Sequence, residues 1–173
     1  MRGYLCDMIK HIALSLLLAA SLATPALADV TAGPLVIREP WSRATPPGAK
    51  VGGGYLTIQN TGTEPDTLVS VASPVSEKTE LHLMKTEDGV MTMRPATDGV
   101  EIPAGQTLTL EPGGYHIMFI RPKAPFVQGE TVPLTLNFAK AGPVEIELTI
   151  SPIGAPGPKA DHSMPMNHEG AAK

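Results

Sequence analysis

The chain has 173 residues, 42% of them hydrophobic and 17% charged, with a formal net charge of −4 and one cysteine. That length fits one domain of ordinary size with short appendages. The lack of a basic surplus excludes nucleic acid as a natural partner, and a single thiol excludes an internal disulfide framework.

In chain order, residues 1–28 read as an export signal peptide. Arg2, Lys10 and His11 precede an apolar run at 12–23, and Ala26-Leu27-Ala28 offers small residues for cleavage before Asp29. The run is shorter than the roughly 18 residues that a spanning helix needs, so no stable membrane span is expected. Cleavage would remove Cys6 and leave a mature chain without thiols. Its formal balance would be −5, from 11 basic and 16 acidic residues.

Residues 29–150 read as one all-β domain. A first strand is expected at 35–41, stopped by Pro40, followed by a loop over 42–54 that holds Pro46-Pro47-Gly48 and Gly52-Gly53-Gly54. Strands at 55–60 and 67–71 come next. Trp41 is expected to be a core aromatic covering one end of the domain.

Segments 79–86 and 90–94 form a hairpin around Asp88-Gly89. A two-residue loop would set Met84 opposite Met93. A four-residue loop would set His82 opposite Met93 and Met84 opposite Met91. Both put His82, Met84, Met91 and Met93 on one face and turn Leu81 and Leu83 to the other. Further strands follow at 99–102, 106–110, 115–120, 131–138 and 143–150. In the third of these, His116 and Met118 share a face, opposite Tyr115, Ile117 and Phe119. Short strands between Gly/Pro turns, with no helical period, predict a β-sandwich.

Beyond Ile150 the composition changes. Residues 151–158 read as a Pro/Gly linker, and 151–173 as a whole as a flexible, disordered tail carrying DHSMPMNH at 161–168.

The histidines and methionines that survive cleavage fall only in the 79–120 stretch and in the tail. Methionine used as core filler would be scattered through the strands. Clustered with histidine, and with no cysteine nearby, it points to a soft metal. Thioether is a poor donor to zinc, and calcium and magnesium require oxygen. Cu(I) accepts thioether and neutral imidazole readily. His82, Met93, His116 and Met118 are the best four ligands for a core Cu(I) site, with Met84 and Met91 as auxiliaries. In the tail, His162, Met164, Met166 and His168 form a second candidate copper site, with Asp161 assisting. Its imidazole and carboxylate donors suit Cu(II) and its thioethers Cu(I).

His82, ten residues, Met93, twenty-two residues, then His116-Ile117-Met118 resembles the signature of the periplasmic copper chaperones called PCuAC. The likeness extends over WSRATPPG at 41–48, GYLTIQN at 54–60, Met93-Arg94-Pro95, IPAG at 102–105 and PGGYH at 112–116. The spacing to the second histidine is one longer than the family's common pattern, which an extra residue at 96–101 would absorb. The resemblance implies a cupredoxin-like Greek-key β-sandwich that binds Cu(I) through two His and two Met in the periplasm. It also implies delivery to the CuA centre of cytochrome c oxidase subunit II, alongside a Sco-like protein, and a monomer is the expected state.

A blue-copper electron carrier needs a thiolate that the mature chain lacks. No acid or base is placed within the cluster by a motif, so no enzyme activity is expected. Passive periplasmic copper storage or resistance, without a dedicated acceptor, is the alternative function. A plain interaction domain, using the methionine face as a sticky surface, is a third.

Overall fold

The computed structural model describes residues 29–158. The expected export signal and the candidate tail ligands His162, Met164, Met166 and His168 lie outside the described residues. Eleven strands form within them: β1 (Val30–Ala32), β2 (Leu35–Arg43), β3 (Val51–Asn60), β4 (Asp66–Ala72), β5 (Ser76–Glu87), β6 (Val90–Pro95), β7 (Val100–Ile102), β8 (Thr107–Leu110), β9 (Tyr115–Pro122), β10 (Thr131–Phe138) and β11 (Gly142–Ser151).

They pair in the order β6-β5-β9-β8-β3-β2-β11-β10-β4-β7, with β1 on β2 and a further β9–β3 pairing. Crossovers place β9 between β5 and β3, as a Greek-key sandwich requires. The sheet is mixed, because β11–β2 and β8–β9 run parallel. The ribbon closes over on itself. A Cβ on Gly54 of β3 would lie 2.9 Å from Phe119 of β9 and 3.0 Å from Leu148 of β11, so β11 faces β3 across the core.

Alternation along each strand writes that core. Leu56, Ile58, Leu81, Ile117 and Phe119 from one layer meet Leu134, Leu136, Ile146 and Leu148 from the other, all buried. Each such side chain contributes about 1.5–3 kcal/mol relative to exposure. The 115–120 strand thus sends Ile117 and Phe119 inward and leaves His116 and Met118 on the outer face.

Two expectations are corrected. The first strand does not stop at Pro40, and the three glycines 52–54 are strand, not loop. Pairing shifts between Arg38 and Trp41, where Glu39 takes a left-handed φ of 49°. This bulge lets proline sit where no ladder N–H is needed, and it reverses side-chain parity. Leu35 and Ile37 enter the core before it, and Ser42 points inward after it. Trp41 is buried, as expected of a core aromatic, and packs on the outer face beside Tyr55, outside the main cluster.

At the far end, the buried Asp66 carboxylate accepts N–H groups from Thr67, Lys140 and Ala141 at 2.7, 2.9 and 3.0 Å. Burial pushes its pKa up, but these donors and the Lys140 charge outweigh that and hold it below the ordinary value. A carboxylate depressed in this way stabilises the fold above its unfolded pKa of about 3.9, and that contribution is lost as pH falls through the folded value. Asp66→Ala strands three amides. Urea unfolding at neutral pH should show a loss of about 2 kcal/mol or more. The gap to wild type should close in acid.

Candidate metal centre

The site is built by register. Asp88 and Gly89 both have positive φ, 52° and 79°, as a two-residue type I′ turn requires. Glu87 pairs with Val90, so Met84 lies opposite Met93 and Met91 lies opposite Thr86. The shorter of the two expected loops is the one formed. On its other edge β5 pairs with β9, setting His82 directly across from His116 and Glu80 across from Met118. Cross-strand partners project to the same side. All six expected core ligands therefore share the outer face.

They are not equivalent on it. His82 and His116 form the centre, both buried. Met84 and Met93 lie one step to one side of this pair, toward the hairpin tip, and Met118 lies one step to the other. Met91 stands a further step out. Met84 and Met118 are half-buried, while Met93 is 46% and Met91 67% exposed. Position alone thus puts Met84 as near the imidazoles as Met93.

The ring centres of His82 and His116 are 6.0 Å apart, with their planes tilted by 44°. A transition metal binds a ring nitrogen at about 2.0 Å, which puts it about 3 Å from the ring centre. The observed span leaves both rings within reach of a single ion. Among the described residues, no three His, Cys, Asp or Glu side chains converge. Thioethers are the donors available to complete the set.

Hydrogen bonds orient both rings. His116 Nδ1 lies 3.1 Å from the Gly114 carbonyl, which only accepts, so Nδ1 carries the hydrogen and Nε2 keeps its lone pair. The same carbonyl accepts the Met84 amide at 3.0 Å. Burial, with a smaller contribution from His82, holds the His116 pKa below its ordinary value against the opposing pull of Gly114. His82 Nε2 lies 3.2 Å from Glu80 Oε2, and His82 Nδ1 is buried without a partner.

Glu80 is the residue that sequence reasoning missed, having placed no acid within the cluster. The signal was present, because Glu80 stands two residues before His82 and so shares its face. Gly53 is a second omission. It pairs with Met118, and a Cβ there would lie 2.5 Å from Tyr55 Oη, so the phenol lies along the strand over it. Tyr55 stacks on Trp41 with ring centres 4.5 Å apart. Arg43 sits over both rings, 5.7 and 5.4 Å from their centres, and donates to the Ala155 carbonyl at 2.7 Å. Pro156, Gly157 and Pro158 share a recess with Trp41, Glu111 and Pro112. The end of the described chain therefore lies against β2, β3 and β8, in the same sheet as the histidines.

Comparison with known proteins identifies the family and the fold. The LpqE-like lipoprotein family model matches residues 35–150. A curated relative, the Leifsonia xyli subsp. xyli protein Lxx21020, which carries a lipoprotein name, is 35% identical over 103 residues. That match spans 60% of this chain and 61% of the relative, so the chain covers about three-fifths of that protein's length. The solved apo PCuAC domain from PmoF1 is 30% identical at a TM-score of 0.61, covering 72% of this chain and 99% of that one. The copper-bound PCuAC domain from PmoF2 is 25% identical at a TM-score of 0.61, covering 72% and 98%. The solution structure of CuI-DR1885 from Deinococcus radiodurans is 28% identical at a TM-score of 0.52, covering 77% and 83%. The chain belongs to the LpqE-like family, of PCuAC type, and its sandwich is cupredoxin-like.

Proposed function

We propose that this protein is an exported copper chaperone that holds Cu(I) between His82 and His116, with Met118 and Met93 as the thioether donors. The observation that carries this reading is the directly opposed imidazole pair on a methionine-lined outer face, in a chain similar to a copper-bound PCuAC domain. Met84 and Met91 extend the thioether path toward the hairpin tip. Thioethers bind without losing a proton, and a depressed pKa keeps His116 neutral further into acid than an ordinary histidine. The exposed Met93 and Met91 give an acceptor's ligands a way in, so that copper moves by ligand exchange.

Carriage fits better than catalysis. Glu80, the carboxylate on this patch, has one oxygen on His82 and the other 2.6 Å from Lys78 Nζ, so neither is free to move a proton. Among the described residues, no helix is long and apolar enough to cross a membrane. The N-terminal segment and the lipoprotein name of the relative support export, and the periplasm is the destination we assign. Delivery to the CuA centre of oxidase subunit II with a Sco-like partner is the biological role we assign. Copper storage without an acceptor is the competing one.

The tail supplies a second site for Cu(I) or Cu(II) through His162, Met164, Met166 and His168. His162 follows Pro158 by four residues, a reach of about 14 Å from a point on the site-bearing sheet.

Residues 29–173 should take Cu(I) from a chromogenic chelator; no competition would remove the metal reading. His116→Ala and Met118→Leu should each weaken binding by about tenfold or more, equivalent to about 1.4 kcal/mol. Met91→Leu should change it little.

In the copper-free protein, NMR titration should place His116 below 6.5, and His82→Ala should relieve only part of that shift, because burial remains. Ending the chain after Pro158 preserves the Arg43 contact. That truncation should lower copper stoichiometry without abolishing core binding. Mixing loaded protein with an apo CuA domain, with and without a Sco partner, should move copper onto the domain. Retention would favour storage.

A further inference from the structure

We propose that Glu80 is a positioning residue that sets the tautomer of His82, so that His82 meets copper through Nδ1 while His116 meets it through Nε2. The inference rests on the Cu(I) reading above and adds the atom by which each ring binds.

Two observations meet at His82. Its Nε2 lies 3.2 Å from a Glu80 carboxylate oxygen, and its Nδ1 is buried with no partner. An ionised carboxylate only accepts, so the nitrogen beside it carries the hydrogen. The opposite tautomer would set a bare lone pair against the carboxylate and bury an unsatisfied N–H, both unfavourable. Lys78 keeps the acceptor in place. Its ammonium lies 2.6 Å from the second Glu80 oxygen. Glu80 is thus oriented and half-buried on the same face as the ring it holds.

The result is an asymmetric pair. His116 is oriented by a backbone carbonyl through Nδ1, and His82 by a side-chain carboxylate through Nε2. The partnerless Nδ1 of His82 is the orphaned donor that a soft cation would satisfy. Carboxylate support also fixes the orientation of the ring.

Long-range 1H–15N NMR correlations on residues 29–158, which carry the whole described core, report which ring nitrogen bears hydrogen. In copper-free protein His82 should show a protonated Nε2 and a bare Nδ1, and His116 the reverse. Added Cu(I) should shift His82 Nδ1 and His116 Nε2. Glu80→Gln keeps an acceptor oxygen and should retain this pattern. Glu80→Leu should lose the His82 tautomer preference and weaken Cu(I) binding by about 10–100-fold, with the amide spectrum of a folded sandwich. Glu80→Ala repeats the test should the leucine variant not fold. A protonated His82 Nδ1 in wild type, or acceptor-less variants that leave tautomer and affinity unchanged, would overturn the assignment. A wild-type chain that takes up no Cu(I) overturns the copper reading itself, whatever the tautomer proves to be.

Discussion

The centre depends on the antiparallel register between β5 and β9. That pairing alone brings His82, from the first half of the domain, opposite His116, from the second, across 34 residues of chain. A one-residue slip would carry Leu81 or Leu83 to the outer face and drive an imidazole into the core. Register is held from both sides. Leu81, Ile117 and Phe119 are locked in the hydrophobic interior, and the Asp88-Gly89 turn fixes β6 against β5. The candidate metal face is therefore the exterior of a sheet whose interior side chains are packed in the core.

Much of this was legible in the chain itself. Alternation exposed the division of β5 and β9 into apolar and donor-bearing faces, because a strand repeats every two residues whatever its partners. The sandwich followed from short strands and turn residues. Which strands become neighbours is set by long-range closure, so the opposition of His82 to His116 could not be derived from local pattern. The hairpin left two registers open, and the left-handed backbone at Asp88 and Gly89 selects the tighter.

The misreadings share a cause. Pro40 and the glycines at 52–54 look like breakers, yet the first sits in a bulge and the others in a strand over which Tyr55 lies. The bulge at Glu39 reverses parity, and that reversal seats the buried Trp41 on the outer face beside Tyr55. A parity argument made without the bulge fails by one residue, which is the whole difference between inside and outside. Glu80 was overlooked for another reason: it is no soft ligand, and its role lies in what it does to its neighbour.

The Gly114 carbonyl receives both the ring of His116 and the amide of Met84. One oxygen thus joins the aim of an imidazole to the seating of the methionine-bearing hairpin. Peeling the hairpin away from this turn would also release the ring that it helps to keep still. For the proposed copper carrier, the grip of His116 and the seating of the hairpin are therefore coupled through one backbone oxygen.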